Sequence, residues 1–187
     1  MRLASLGILA ASCLTASSMG FARVACAHDV SAMMKASMAF LKAEADKMGP
    51  PRLEGLDKIA DNDVPVLYFG ATKMNNNFAL VDEVAKQSGA AAAAITVGIF
   101  VKSGDDFVPV ATSVNDYNGS HSSTEIFDSK AIAAIRANQA YYGYVGLRLG
   151  GVGPIMGNLY EAGYEPIHDD AHHVIGIYYI HFFVGMT

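Results

Sequence analysis

The chain has 187 residues, of which 52% are hydrophobic and 17% charged, with 13 basic and 18 acidic side chains and a net charge of −5. That length fits one domain with a sizeable core, and the composition excludes a disordered polymer. The acidic balance argues against nucleic acid or an anionic membrane surface as partner.

Residues 1–27 have the form of a secretory signal. Arg2 gives a positive start, residues 3–14 are an apolar run, and Ala25-Cys26-Ala27 closes it with small side chains. Removal after Ala27 would leave 11 basic against 18 acidic residues, a net of −7. The expected location is periplasmic or secreted, away from nucleotide pools. Both cysteines, Cys13 and Cys26, fall in this segment, so the mature domain would have neither disulfide nor thiol chemistry. Cys26 is also a conceivable lipidation site, but Arg23 stands where such signals prefer an apolar residue. Soluble secretion is favoured, with a lipid anchor or a retained N-terminal anchor as alternatives. No later stretch reaches the roughly 18 to 20 apolar residues that cross a bilayer. The expected division is a signal peptide at 1–27, an N-terminal helix and connection at 28–63, and the main domain at 64–187.

Asp29 can cap a helix to Met48, with Val30, Met33, Met34, Leu41 and Ala45 near helical spacing. Gly49-Pro50-Pro51 stops it. The methionines are read as a packing face. Residues 52–63 are polar and read as a connection. Residues 64–70 form a short extended piece that Gly70 lets turn. Asn75-Asn76-Asn77 opens a second helix by satisfying its first free amides; Phe78, Val81, Val84 and Ala85 form its apolar side, and Gly89 ends it. A ligand contact by one of the three asparagines is a minor reading.

Strands follow. Residues 92–101 are apolar, 102–106 make a hairpin turn, and 107–114 pair back, with Pro109 marking an edge or bulge. After a polar loop at 116–124, Asp128 caps a short helix to Ala137 with Ile132 and Ile135 inward. Three strands are expected at 140–149, 158–167 and 174–184, the last two joined by a turn at 168–172. The fold class is α+β: about five antiparallel strands, a long N-terminal helix, and shorter helices on one side.

Several strings in this order are familiar: Val64-Pro65-Val66-Leu67-Tyr68-Phe69-Gly70, Met74-Asn75-Asn76-Asn77-Phe78, Leu80-Val81-Asp82-Glu83-Val84, Lys102-Ser103-Gly104-Asp105-Asp106-Phe107-Val108, Gln139-Ala140-Tyr141-Tyr142-Gly143, Gly163-Tyr164-Glu165-Pro166-Ile167 and Val174-Ile175-Gly176-Ile177-Tyr178-Tyr179. From 64 to 180 the chain resembles a single Cache domain of the Cache 3/Cache 2 fusion type. The resemblance implies a PAS-like antiparallel sheet behind the long helix, with a small-molecule pocket on one sheet face. It implies a sensor that binds a small organic ligand such as a carboxylate or amino acid. Its output would be signal transduction or chemotaxis through a membrane sensor kinase or chemoreceptor, or through a homodimer formed by the N-terminal helix. Neither cofactor nor catalysis is implied.

Two positions depart from the family pattern. Pro109 and His121 (in Gly119-Ser120-His121) stand where arginine is usual, which argues against a simple carboxylate: the expected ligand is uncharged or zwitterionic, or an anion whose counter-charge falls to Lys73 or Arg148. Residues 90–96 and 150–157 look longer than usual, and the second, glycine-rich, reads as a flap over the pocket. The expected ligand-binding residues are Tyr142, Tyr160, Tyr164, His121, Lys73 and Arg148. The pocket floor would be the tyrosines, whose bodies are apolar and whose hydroxyls orient polar groups; ordinary sheet core is the competing reading. Loop 117–124 and segment 150–157 would form its mouth.

Two other chemistries have residues in the sequence that could carry them. His168, Asp169, Asp170, His172 and His173 are the densest group of metal-capable side chains, making a secreted metal-binding domain the alternative. A solvated turn is the simpler account, and neighbouring strand residues such as His172 and His173 point apart. His181, alone on an apolar strand, reads as a packed histidine. Ser120, His121, Ser122 and Ser123 with Asp116 or Asp128 hold hydrolase residue types, but no glycine-flanked nucleophile turn follows a buried strand. Phosphate loops, dinucleotide fingerprints and haem-attachment motifs are absent, and the chain is not expected to be an enzyme.

Overall fold

The computed structural model describes residues 22–59, 61–87, 95–115, 119–121, 124–125, 128–145, 148–149 and 158–186. The expected signal segment lies largely outside them, as do residues 88–94, 116–118, 122–123 and 150–157.

Helix α1 (Ala22–Met48) begins seven residues before Asp29. It buries Met34, Met38, Leu41 and Ala45 along one stripe, each larger side chain contributing about 1.5 to 3 kcal/mol by leaving water. Gly49 and Gly70 then pass closely. The Gly70 amide donates to the Pro50 carbonyl at 3.0 Å, and Gly70 has φ +56, where a Cβ would lie 2.0 Å from the Met48 oxygen.

Residues 52–63 are not a connection. Strands β1 (Pro51–Ile59) and β2 (Asn62–Phe69) pair antiparallel from Pro51↔Phe69 to Ile59↔Asn62, with a shift between Leu53 and Leu56. Strand β1 is an edge strand that hides no apolar face, so its sequence carries no alternation to announce it. It is held by charge and stacking instead. Lys58 pairs with Asp63 at 2.9 Å, and the Arg52 guanidinium sits 4.7 Å from the Tyr68 ring centre. Strand β3 (Thr72–Lys73) completes this three-stranded sheet. The division expected at 63/64 falls inside β2, whose Val64, Leu67 and Phe69 share one core with the α1 methionines.

Helix α2 (Ala79–Gln87) starts on an asparagine, as expected: the Asn77 Oδ1 accepts from the Ala79 amide at 3.2 Å. Buried Asn75 is a stitch, accepting from the Leu67 amide at 3.0 Å and donating to the Pro65 carbonyl at 3.1 Å.

The main sheet comprises β4 (Ile95–Ser103), β5 (Asp106–Thr112), β7 (Tyr141–Val145), β9 (Asn158–His168) and β10 (Val174–Met186). Its antiparallel order is β5-β4-β10-β9-β7, a PAS-like arrangement with β10 central. Pro109 lies on the edge strand β5 beside a register shift, meeting both expectations for a proline in a strand. Helix α3 (Ser129–Arg136) is capped by Asp128, whose carboxylate accepts from the Lys130 and Ala131 amides at 2.7 and 3.2 Å. The strand expected over 140–149 is two pieces, since β8 (Arg148–Leu149) pairs with β6 (Thr124–Glu125).

Each face of the main sheet is covered. Val97, Ile99, Tyr178, Ile180 and Phe182 share one core with α1, α2 and β2. Phe100, Tyr164, Ile177 and Tyr179 form a second with Ala131 and Ile135 of α3. The one-sided placement expected of the helices therefore holds for α1 and α2. Helix α3 takes the other face because β10 is apolar on both sides and each side needs a cover.

Candidate functional site

Alternation assigns each strand residue to a face, and cross-strand partners share it. On the α3 side this builds rows across the sheet. One row runs Tyr141, Tyr164, Tyr179, Gly98, Thr112. The next runs Gly143, Ala162, His181, Thr96, and a third holds Val145, Tyr160 and Phe183. Tyrosines and one histidine thus concentrate on a face that an ordinary core would fill with aliphatic side chains.

These polar rings are buried and connected. Tyr164 and Tyr179 are each 1% exposed and His181 4%. The Tyr179 hydroxyl lies 2.5 Å from His181 Nδ1, and the Tyr164 and Tyr179 rings pack with centres 4.8 Å apart. Tyr141 reaches the Asp128 carboxylate at 3.5 Å, and Tyr160 meets the His181 ring edge-on with centres 5.1 Å apart. Burial raises the Tyr164 and Tyr179 hydroxyls well above the ordinary phenol range. It drops His181 from 6.5 to about 3, so the imidazole is neutral. The row is a set of uncharged donors and acceptors. Gly98 and Gly143 make room for it: a Cβ on Gly98 would come 3.1 Å from the Tyr179 ring, and one on Gly143 2.9 Å from the Tyr141 hydroxyl.

The six residues expected to bind ligand do not converge. Tyr160 and Tyr164 lie on this face. Tyr142 pairs with Gly163 and faces α1, where its hydroxyl donates to Glu165 Oε1. Burial, then Glu165, raises its hydroxyl above the usual range. It lines an open cleft of about 550 Å³ with Lys35, Lys42, Asp46 and Glu165, on the sheet face away from Tyr160 and Tyr164. Lys73 is bound to Asp57 at 2.6 Å in the three-stranded sheet. His121 stacks on Phe78 at 3.7 Å, with Nδ1 2.7 Å from the Thr112 carbonyl and Nε2 3.4 Å from Asp82. Arg148 stands opposite Glu125 in the β6–β8 ladder, and its side chain lies outside the described residues. Half of the expected mouth loop (117, 118, 122 and 123) and all of segment 150–157 also lie outside the described residues.

Sequence reading missed Tyr179 and Tyr141 as members of this row and took His181 only as a packed histidine, which its burial bears out. Alternation along Ile177, Tyr179, His181 and Phe183 was the available signal.

Among the described residues no three His, Cys, Asp or Glu side chains are placed to hold a metal. The expected cluster is a turn: Asp169 accepts from the Ala171 and His173 amides at 3.0 and 2.8 Å, and His168 bonds Asn138. Of the triad candidates, Asp128 is committed to its cap and His121 to Thr112 and Asp82, while Asp116, Ser122 and Ser123 lie outside the described residues. No described helix is long and apolar enough to cross a membrane.

Residues 25–184 match the family model of the Cache 3/Cache 2 fusion domain. A search of curated proteins gives no match.

Proposed function

Since the chain belongs to the Cache 3/Cache 2 fusion domain family, whose members are extracytoplasmic small-molecule-binding sensor modules, we propose that it binds a small organic ligand on the α3 face and signals without turning the ligand over. The observation that carries this reading is the connected tyrosine–histidine row at the centre of the sheet, a costly thing to bury for stability alone. Ligand sites combine an apolar lining with a few placed polar groups, which is the composition of this face.

Strand β10 supports a route for the signal. Tyr179 and His181 face the row, while Tyr178 and Ile180 lie in the core beneath α1. A ligand that displaces one side of β10 displaces the seat of α1 on the other, and close-packed cores transmit such shifts. A membrane sensor kinase or chemoreceptor, or a second copy of the chain, would receive the movement of α1. The expected signal segment fits a periplasmic or secreted location.

Thermal unfolding across a metabolite library tests the proposal. A ligand at 100 times its Kd adds about 2.7 kcal/mol to stability. Absence of any stabilising compound in a broad library overturns it, as does turnover of the compound that binds.

A further inference from the structure

The row on the α3 face ends in a group that its neighbours prepare for one kind of contact. His181 is 4% exposed, and its Nδ1 is committed to the Tyr179 hydroxyl at 2.5 Å. With Tyr179 as the donor of that pair, the imidazole carries its proton on Nε2. Among the described residues nothing pairs with Nε2. The residues on either side of His181 in its row are Ala162 and Thr96, both short. The ring is bordered by aromatic surface: Tyr160 lies edge-on, and Phe183, 5.5 Å beyond Tyr160, is 38% exposed.

Resting on the sensor reading and deepening it, we propose that His181 is the ligand-reading side chain, donating from Nε2 to an uncharged carbonyl or hydroxyl oxygen of a small molecule with an apolar or aromatic body. An anion is the poorer fit. Apart from His181 no described residue in the three rows is basic, and the described charge that the row contacts is the Asp128 carboxylate, reached through Tyr141. Burial keeps His181 itself neutral. A carboxylate on this floor would be desolvated without a described counter-ion, whereas an amide or alcohol would gain the free N–H.

Saturation-transfer NMR with matched pairs on one body tests the ligand class: benzamide with benzoate, nicotinamide with nicotinate, isobutyramide with isobutyrate. The amides should bind and their carboxylates should not. His181→Phe should weaken amide binding at least tenfold, and His181→Gln, which restores a neutral donor, should recover part of it. Nitrogen-15 spectra of the unmodified protein should show the Nε2–H tautomer, a readout that needs no variant to fold. Preference for the carboxylates, amide binding indifferent to His181→Phe, response to neither member of any pair, or an Nδ1–H tautomer each overturns the inference. The sensor reading survives all four if a library compound still stabilises the domain, and falls separately if none does.

Discussion

Lys42 of α1 and Glu165 of β9 are joined by an ion pair of 2.5 Å, and the same carboxylate accepts the Tyr142 hydroxyl. This cluster ties the long helix to the strand next to β10, on the face opposite the polar row. The pair is partly exposed, with side-chain exposures of 43% and 20%, so its contribution is small. Glu165→Gln should lower stability by about 1 kcal/mol or less, read from urea unfolding. A loss above about 3 kcal/mol would mean that the pair, rather than the apolar stripe, seats α1.

The stripe itself should dominate. Leu41 is fully buried among Met34, Met38 and the sheet, and Leu41→Ala should cost about 2 to 5 kcal/mol in the same measurement. A cost below about 1 kcal/mol would show that α1 docks loosely.

Gly70 should tolerate no side chain. Its positive φ and the 2.0 Å approach of a Cβ to the Met48 oxygen set strain and backbone overlap together, with no flexible side chain to yield. Gly70→Ala should destabilise by more than about 2 kcal/mol. An unchanged melting temperature would place the α1–β1 junction differently.

Acid should weaken the fold through His181. Burial holds its folded value at about 3 against 6.5 for the free group. Between those limits the unfolded chain takes up a proton that the native chain refuses. Stability from this group is therefore complete above about pH 6.5 and is lost as pH falls, at roughly 1.4 kcal/mol per unit. Comparison with His181→Phe between pH 6.5 and 5 isolates it: the variant's stability should fall less steeply. Parallel slopes would contradict a buried neutral imidazole.

Much of the sheet could be read directly. The β-branched run before Gly104, the Asp128 cap and the proline on β5 each act through local chemistry, so their positions followed from neighbours in sequence. Strand β1 could not be read because a polar edge strand buries no periodic face. The site was legible only in part, for a reason of parity. Tyr141 and Tyr142 are adjacent, and only the long-range pairing Tyr141↔Tyr164 decides which of them joins the row. Tyr142, chosen from sequence, is the one that turns toward α1. Lys73 is expected from sequence as a ligand's counter-charge, but its partner Asp57 lies on the strand that polar composition concealed.

Ligand is expected on the α3 face of the sheet and not on the α1 face. Calorimetric titration of a compound found by thermal screening, against Tyr160→Ala, Tyr164→Phe and Tyr142→Phe, distinguishes the two faces. Tyr160→Ala and Tyr164→Phe should each weaken binding about tenfold or more, and Tyr142→Phe should leave Kd within about twofold, since its hydroxyl serves Glu165 on the far side of the sheet. Strong loss in Tyr142→Phe with the other two unchanged would move the site to the cleft beside α1 and overturn its placement on the α3 face.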